Sequence, residues 1–156
     1  MNSNFSSKFS SIKYDSENDW GLLRSKIYSI ETTKDDFLWV ATDHGLEYLS
    51  SNGIRYNSFP KSELSTSQTA DIFYQNDSSL WVGTTNGLLK VNTNDRTIDR
   101  YSSRSKNKKY KIADNVVFDI YVDNSDFIWV STRKGVSIIS LKDFSIINYS
   151  MPSPIR

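Results

Sequence analysis

One phrase recurs three times in register: LWVATDHGL at residues 38–46, LWVGTTNGL at 80–88 and IWVSTRKGV at 128–136. Trp39, Trp81 and Trp129 are therefore 42 and 48 residues apart, and Gly45, Gly87 and Gly135 keep both spacings. A period of this size marks one structural unit copied along the chain. It constrains the fold more tightly than composition does, because every copy must pack against the next.

The match extends well beyond the phrase. Ile30, Ile72 and Ile120 each precede the Trp by nine residues, and Phe59, Tyr101 and Tyr149 each follow it by twenty. Runs at 27–32, 71–75 and 116–123 are rich in β-branched and aromatic residues, as strands are. Polar clusters at 34–36, 76–78 and 124–126 read as tight turns leading into the Trp strand. A third run (46–49, 88–91, 136–141) and a fourth (54–59, 97–101, 145–149) complete each copy. The Gly between the second and third runs is placed for the positive φ that two-residue hairpins need, with Asn86-Gly87 the strongest local signal. No apolar period of helical type extends over ten residues. The expected fold class is all-β.

Four-stranded units of about 40–50 residues are the period of β-propeller blades. The expected architecture is three four-stranded antiparallel blades at about 27–59, 69–101 and 116–150. Before them, the stretch 9–14 ends on Tyr14, which resembles the closing aromatic of each copy. It is expected to be one extra outer strand belonging to a preceding blade. The propeller segment then spans 9–150, between tails at 1–8 and 151–156. Three blades make an incomplete propeller, since a ring takes about four to eight. Either the remaining blades of a longer chain or a second copy of this one is expected to close it.

Composition removes several function classes. A net charge of +1 argues against a nucleic-acid binder. The absence of Cys excludes disulfides and thiolate metal sites, and His44 is the single His, which excludes a His-built metal centre or catalytic triad within one chain. No cofactor and no metal are expected. No run approaches the ~18 apolar residues of a membrane span, and the first residues lack the apolar stretch of a signal peptide. No membrane contact is expected within this chain.

Each candidate residue has a bland reading beside the sharp one. Trp39, Trp81 and Trp129 are flanked by Leu or Ile and by Val, which suits packing between blades better than sugar stacking. Thr42, Thr84 and Thr132 read as strand-end hydroxyls that satisfy a turn. Asp71 and Asp119 occupy matching places on the innermost strand, where the first copy has Ser29. They are either a general acid and base, cation ligands, or acceptors of backbone hydrogen bonds near the strand's start. No nucleophile with a positioned base accompanies them, and no catalytic residue is assigned. Asp123-Asn124-Ser125-Asp126 lacks the Gly and distal Glu of a calcium loop and is not read as one.

Side chains that differ between otherwise similar copies are better candidates for recognition. The turn between the second and third strands reads Asp43-His44, Thr85-Asn86 and Arg133-Lys134, where the fold itself demands only the Gly. In propeller geometry these turns share a face with the links between blades. The six extra residues between the second and third Trp fall within 102–115, on the same face. This stretch carries Arg104, Lys106, Lys108, Lys109 and Lys111 around Tyr110. Arg104 and Lys109 are its candidate contacts to an anionic group, and a solvated loop is the alternative.

The pattern strand, turn, (L/I)-W-V-x-T-x-x-G-(L/V), strand, aromatic resembles the two-component regulator propeller repeat. The stretch Gly21-Leu22-Leu23-Arg24-Ser25-Lys26-Ile27-Tyr28-Ser29-Ile30 also resembles that family's link into the first strand of a blade. The resemblance implies a periplasmic sensor region of a bacterial hybrid histidine kinase, binding a small-molecule or oligosaccharide ligand without catalysis. Nothing in the chain resembles a kinase, receiver or DNA-binding region. The expected function is a ligand-sensing propeller segment that controls a kinase located elsewhere. The alternatives are a protein-interaction scaffold with no small ligand and, third, part of a propeller glycan lyase or hydrolase.

Overall fold

The computed structural model describes residues 26–34, 36–43, 45–50, 54–60, 64 and 68–151. The expected outer strand at 9–14 and the side chain of His44 lie outside the described residues. Among the described residues, twelve strands form three antiparallel sheets of four, each a simple meander. The first blade contains β1 (Ile27–Thr32), β2 (Phe37–Thr42), β3 (Gly45–Ser50) and β4 (Arg55–Pro60). The second contains β5 (Thr69–Asn76), β6 (Ser79–Thr84), β7 (Gly87–Asn92) and β8 (Ile98–Tyr101). The third contains β9 (Val117–Val122), β10 (Phe127–Thr132), β11 (Gly135–Ser140) and β12 (Ile146–Ser150). The chain is thus all-β and made of propeller blades in an unclosed array.

The repeat positions hold the same register in every blade. Trp39, Trp81 and Trp129 face Tyr48, Lys90 and Ile138 across the second and third strands. Thr42, Thr84 and Thr132 pair with Gly45, Gly87 and Gly135 and so close two-residue hairpins. The glycine φ angles of +114° at Gly87 and +146° at Gly135 lie where side chains with a Cβ are strained. A Cβ at either position would also overlap the carbonyl oxygen of Tyr101 or Tyr149 on the outermost strand. At the turns between third and fourth strands, Asp95 Oδ1 accepts from Thr97 N (2.9 Å) and Asp143 Oδ1 from Ser145 N (3.1 Å). The same side-chain turn chemistry is repeated there.

Packing between blades supplies the core. Trp39 and Phe59 of the first blade are buried in one cluster with Ile72, Leu80, Val82, Leu89 and Val91 of the second. Trp81 and Tyr101 of the second blade are buried with Val117, Ile120, Ile128, Val130 and Ile139 of the third. Each large aromatic ring hidden in this way removes roughly 150–250 Å² from water, or about 4–6 kcal/mol before entropy is subtracted. The middle blade has a neighbour on both faces, and β6 is buried along nearly its whole length. In the third blade β10 instead alternates buried and exposed residues, as a strand covered on one face must.

Candidate functional site

The turns between second and third strands share one backbone frame. Asp43, Thr85 and Arg133 donate their N–H groups to the carbonyls of Lys26, Gln68 and Val116, just before the first strand of the same blade (3.0, 3.2 and 3.0 Å). Thr42, Thr84 and Thr132 donate their hydroxyls to the carbonyls of Gly45, Gly87 and Gly135 at 3.2, 2.7 and 2.7 Å. These bonds place the turns and the interblade links at one end of the array. The frame is constant while the side chains on it change.

In the first blade, Asp43 Oδ1 is a buried oxygen with no hydrogen-bond partner among the described residues. In the second, Thr85 is half-buried and Asn86 exposed. In the third, Arg133 and Lys134 both reach Asp114 in the preceding link, at 3.4 and 3.9 Å. Burial works to raise the Asp114 carboxyl. The Val116 N–H, the charge and hydrogen bond of Arg133 and the charge of Lys134 outweigh it and hold the group below the usual carboxylate range.

The basic stretch is an ordered link whose Arg104, Lys106, Lys108, Lys109 and Lys111 are all exposed. Asn107 caps a 3-10 turn at Lys108–Tyr110, and the Tyr110 ring packs edge-on against Tyr101 at 5.2 Å. Ile112 is buried in the core between the second and third blades. Asn115 Oδ1 accepts from Ser102 Oγ and from the N–H of Ser103, and its carbonyl accepts the Gly87 N–H at 2.7 Å. Tyr110 packs against Tyr101 on one side while Lys109 Nζ lies over its ring at 5.9 Å. Arg104 and Lys109 are exposed on the outside of this link.

Asp114 and Asn115 join the turn of the second blade to that of the third, and sequence reasoning passed over both. Their signal was an Asp-Asn pair directly before a strand, which resembles ordinary turn composition.

The inner-strand carboxylates meet. Asp71 Oδ1 accepts the Ser29 hydroxyl at 2.7 Å, and Oδ2 accepts the Ile120 N–H at 2.8 Å. The backbone donor comes from the neighbouring blade and not from the start of its own strand. Burial, then the Asp71 charge and a hydrogen bond to Asp71, push the Asp119 carboxyl up. Glu31, on the inner strand of the first blade, is raised by burial and then by Asp71. Each Asp71 oxygen thus already accepts one hydrogen bond that ties the blades together.

Asp123, set aside above as a calcium ligand, accepts from the Trp129 Nε1–H (2.9 Å) and from the N–H groups of Ser125 and Phe127. Gln75 does the same for the Trp81 indole at 2.9 Å. Among the described residues no group of three metal-ligating side chains occurs. No helix there is long and apolar enough to cross a membrane.

A groove of about 340 Å³ opens at the opposite end of the array, between the first and second blades. Tyr48, Tyr74, Asp77, Thr93 and Asn94 line it above the edge of the buried Trp39. The Tyr74 hydroxyl is hydrogen-bonded to Asp77. These residues lie in different copies and at unmatched places, so the repeat pattern did not bring them together.

Comparison with known proteins agrees with the repeat. The model of the two component regulator propeller family matches residues 111–134. No curated protein sequence matches. Among solved structures, one described as the extracellular domain of a hybrid two component system from B. thetaiotaomicron superposes with a TM-score of 0.65 at 21% identity, over 85% of this chain and 20% of that one. Another, the extracellular domain of a one component system from the same organism, gives 0.63 at 17% identity, over 83% and 17%. The virginiamycin B lyase of Staphylococcus aureus gives 0.63 at 12% identity, over 92% and 45%. At such identities the likeness is one of fold. The chain spans about a fifth of the length of those extracellular domains.

Proposed function

We propose that this chain, which carries the two component regulator propeller repeat, is a ligand-sensing segment of a bacterial two-component system. It works by binding: a small ligand, carbohydrate being the favoured class, settles on the face of the turns between second and third strands. Its occupancy shifts blade packing, which a kinase elsewhere reads. The extracellular placing of the related sensor domains supports a periplasmic setting.

The observation that carries this reading is the constant turn frame with variable side chains. Three turns on one frame present an acid with a buried oxygen that has no partner among the described residues (Asp43), an amide (Asn86) and a guanidinium paired with Asp114 (Arg133) at one end of the array. A scaffold that repeats its backbone and varies its polar groups suits recognition of an asymmetric polar molecule.

A second place is favoured by a specific feature, the pair of tyrosines beside Asp77 in the groove at the far end. Aromatic rings next to hydroxyl and carboxylate groups suit a sugar ring equally well.

The test is thermal unfolding of the chain with a panel of neutral and anionic oligosaccharides. At least one should raise the melting temperature, and replacing His44, Asn86 and Arg133 together by Ala should abolish that rise. Loss on Tyr74→Ala instead would move the site to the groove. No shift with any member of the panel would defeat the sensing role and favour the protein-interaction scaffold.

A further inference from the structure

The indole N–H of the repeated Trp is treated differently in the first blade. Gln75 and Asp123, each six residues before its Trp, accept it from Trp81 and Trp129 at 2.9 Å. The same place in the first blade is Thr33. In the third blade one Asp123 oxygen takes the Phe127 N–H and the other takes the indole. Thr33 Oγ1 takes the matching Phe37 N–H at 3.2 Å, and a hydroxyl has no second oxygen to offer an indole. Trp39 Nε1–H therefore has no acceptor among the described residues, although its side chain is only 3% exposed. A buried Trp N–H usually finds a partner.

Thr33 and Trp39 both line the groove of about 340 Å³ between the first and second blades, with Tyr48, Tyr74, Asp77 and Asn94. A matching groove of about 660 Å³ lies between the second and third blades, and Trp81 is not part of its wall. There Gln75 already holds the indole, and Val122, Leu141 and Lys142 stand where the first groove has Tyr74, Thr93 and Asn94.

We propose that the groove between the first and second blades binds one ring of an uncharged sugar, with a ligand oxygen taking the Trp39 Nε1–H as Gln75 and Asp123 take it in the other blades. This deepens the second placement given above for the sensed ligand and rests on it. The volume is at the low end of the about 300–1,000 Å³ of small-molecule sites, which suits a single ring. Tyr48 and Tyr74 offer aromatic surface to ring C–H groups, and Asp77 and Asn94 offer oxygens to hydroxyl donors. The lining holds one carboxylate and no Lys or Arg, so an acidic ligand would meet like charge without a cation to offset it.

The test is a titration of the isotope-labelled full chain, with the assigned indole N–H signals followed by nuclear magnetic resonance. The probes are glucose, galactose and xylose, and beside them glucuronic and galacturonic acids. At least one neutral sugar should move the Trp39 signal saturably and leave the Trp81 signal, whose N–H is already bonded, in place. Thr33→Gln and Thr33→Asp copy the other two blades. Each should move the Trp39 signal with no sugar present and weaken the sugar by about tenfold. Undiminished affinity in both variants would overturn the proposal, because the indole would then not hold the ligand. So would a uronic acid that acts as strongly as its neutral parent. A Trp39 signal that no neutral sugar moves, while an oligosaccharide still raises the melting temperature, would overturn this proposal and leave the sensing role standing. Silence in both measurements would overturn the two together.

Discussion

The carboxylate of Asp71 on β5 accepts the backbone N–H of Ile120 on β9 at 2.8 Å, so a side chain of the second blade holds the main chain of the third. Its other oxygen takes the Ser29 hydroxyl of the first blade at 2.7 Å. One residue therefore ties three inner strands. Leaving a part-buried N–H and hydroxyl without an acceptor costs about 1–3 kcal/mol. Asp71→Ala should lower stability by that much in urea unfolding, and Asp71→Asn by less, since one acceptor oxygen remains. An Asp71→Ala variant as stable as the unmodified chain would show that the tie contributes nothing.

Asp119 makes a prediction of opposite sign to the usual acid effect. Its carboxyl is raised by burial and by Asp71, so the folded chain prefers it protonated. The stability it contributes is full below the ordinary Asp value near 3.9 and is lost as pH rises through its raised value. Asp119→Asn cannot ionise and should gain on the unmodified chain as pH rises from the ordinary Asp value of about 3.9 through the raised one. Parallel stability curves for the two proteins would refute this.

Gly83 sits where the second blade touches the third. A Cβ there would lie 2.7 Å from Val117 Cγ1, and Val117 is buried with little room to yield. Overpacking of this kind costs about 1–3 kcal/mol. Gly83→Ala should lower the denaturation midpoint, and adding Val117→Ala should restore part of the loss although Val117→Ala alone is destabilising. Simple additivity of the two would mean that they do not meet.

Asp114 separates structural from recognition roles on the turn face. Arg133 is 60% exposed, so its ion pair with Asp114 contributes only about 0–1 kcal/mol. The Val116 N–H accepted by Asp114 at 3.0 Å is the larger part, and its loss costs about 1–3 kcal/mol. Asp114→Ala should therefore destabilise the chain more than Arg133→Ala does, as measured by chemical denaturation. Because its folded pKa is depressed, the Asp114 contribution is present above the ordinary Asp value and lost as pH falls through the depressed one. Equal effects of the two substitutions would assign the stability to the ion pair instead.

Most of the fold was legible because the Trp-Val-x-Thr-x-x-Gly phrase encodes a strand, a hairpin and the next strand in one breath. Thr84, Asn86 and Gly87 specify their turn through local bonds, such as Thr84 Oγ1 to the Gly87 carbonyl, which need no distant partner. The link at 102–115 was less legible. Its lysines dominate the composition, while what orders it is Tyr110 on Tyr101 and Asn115 against Ser102 and Gly87. The Asp71–Asp119 meeting was visible only as two matching positions. Whether they paired, bound an ion or accepted N–H groups depended on how the inner strands lie side by side.

What sequence alone determined here was the unit, meaning its period, strands, register and turn glycines, because these rest on contacts between residues near one another in the chain. The tertiary structure decided what identical positions become. Trp81 and Trp129 occupy the same place in the same motif, yet one is buried beneath a neighbouring blade and the other faces outward. Burial depends on what lies across the sheet, and the repeat itself carries no record of that.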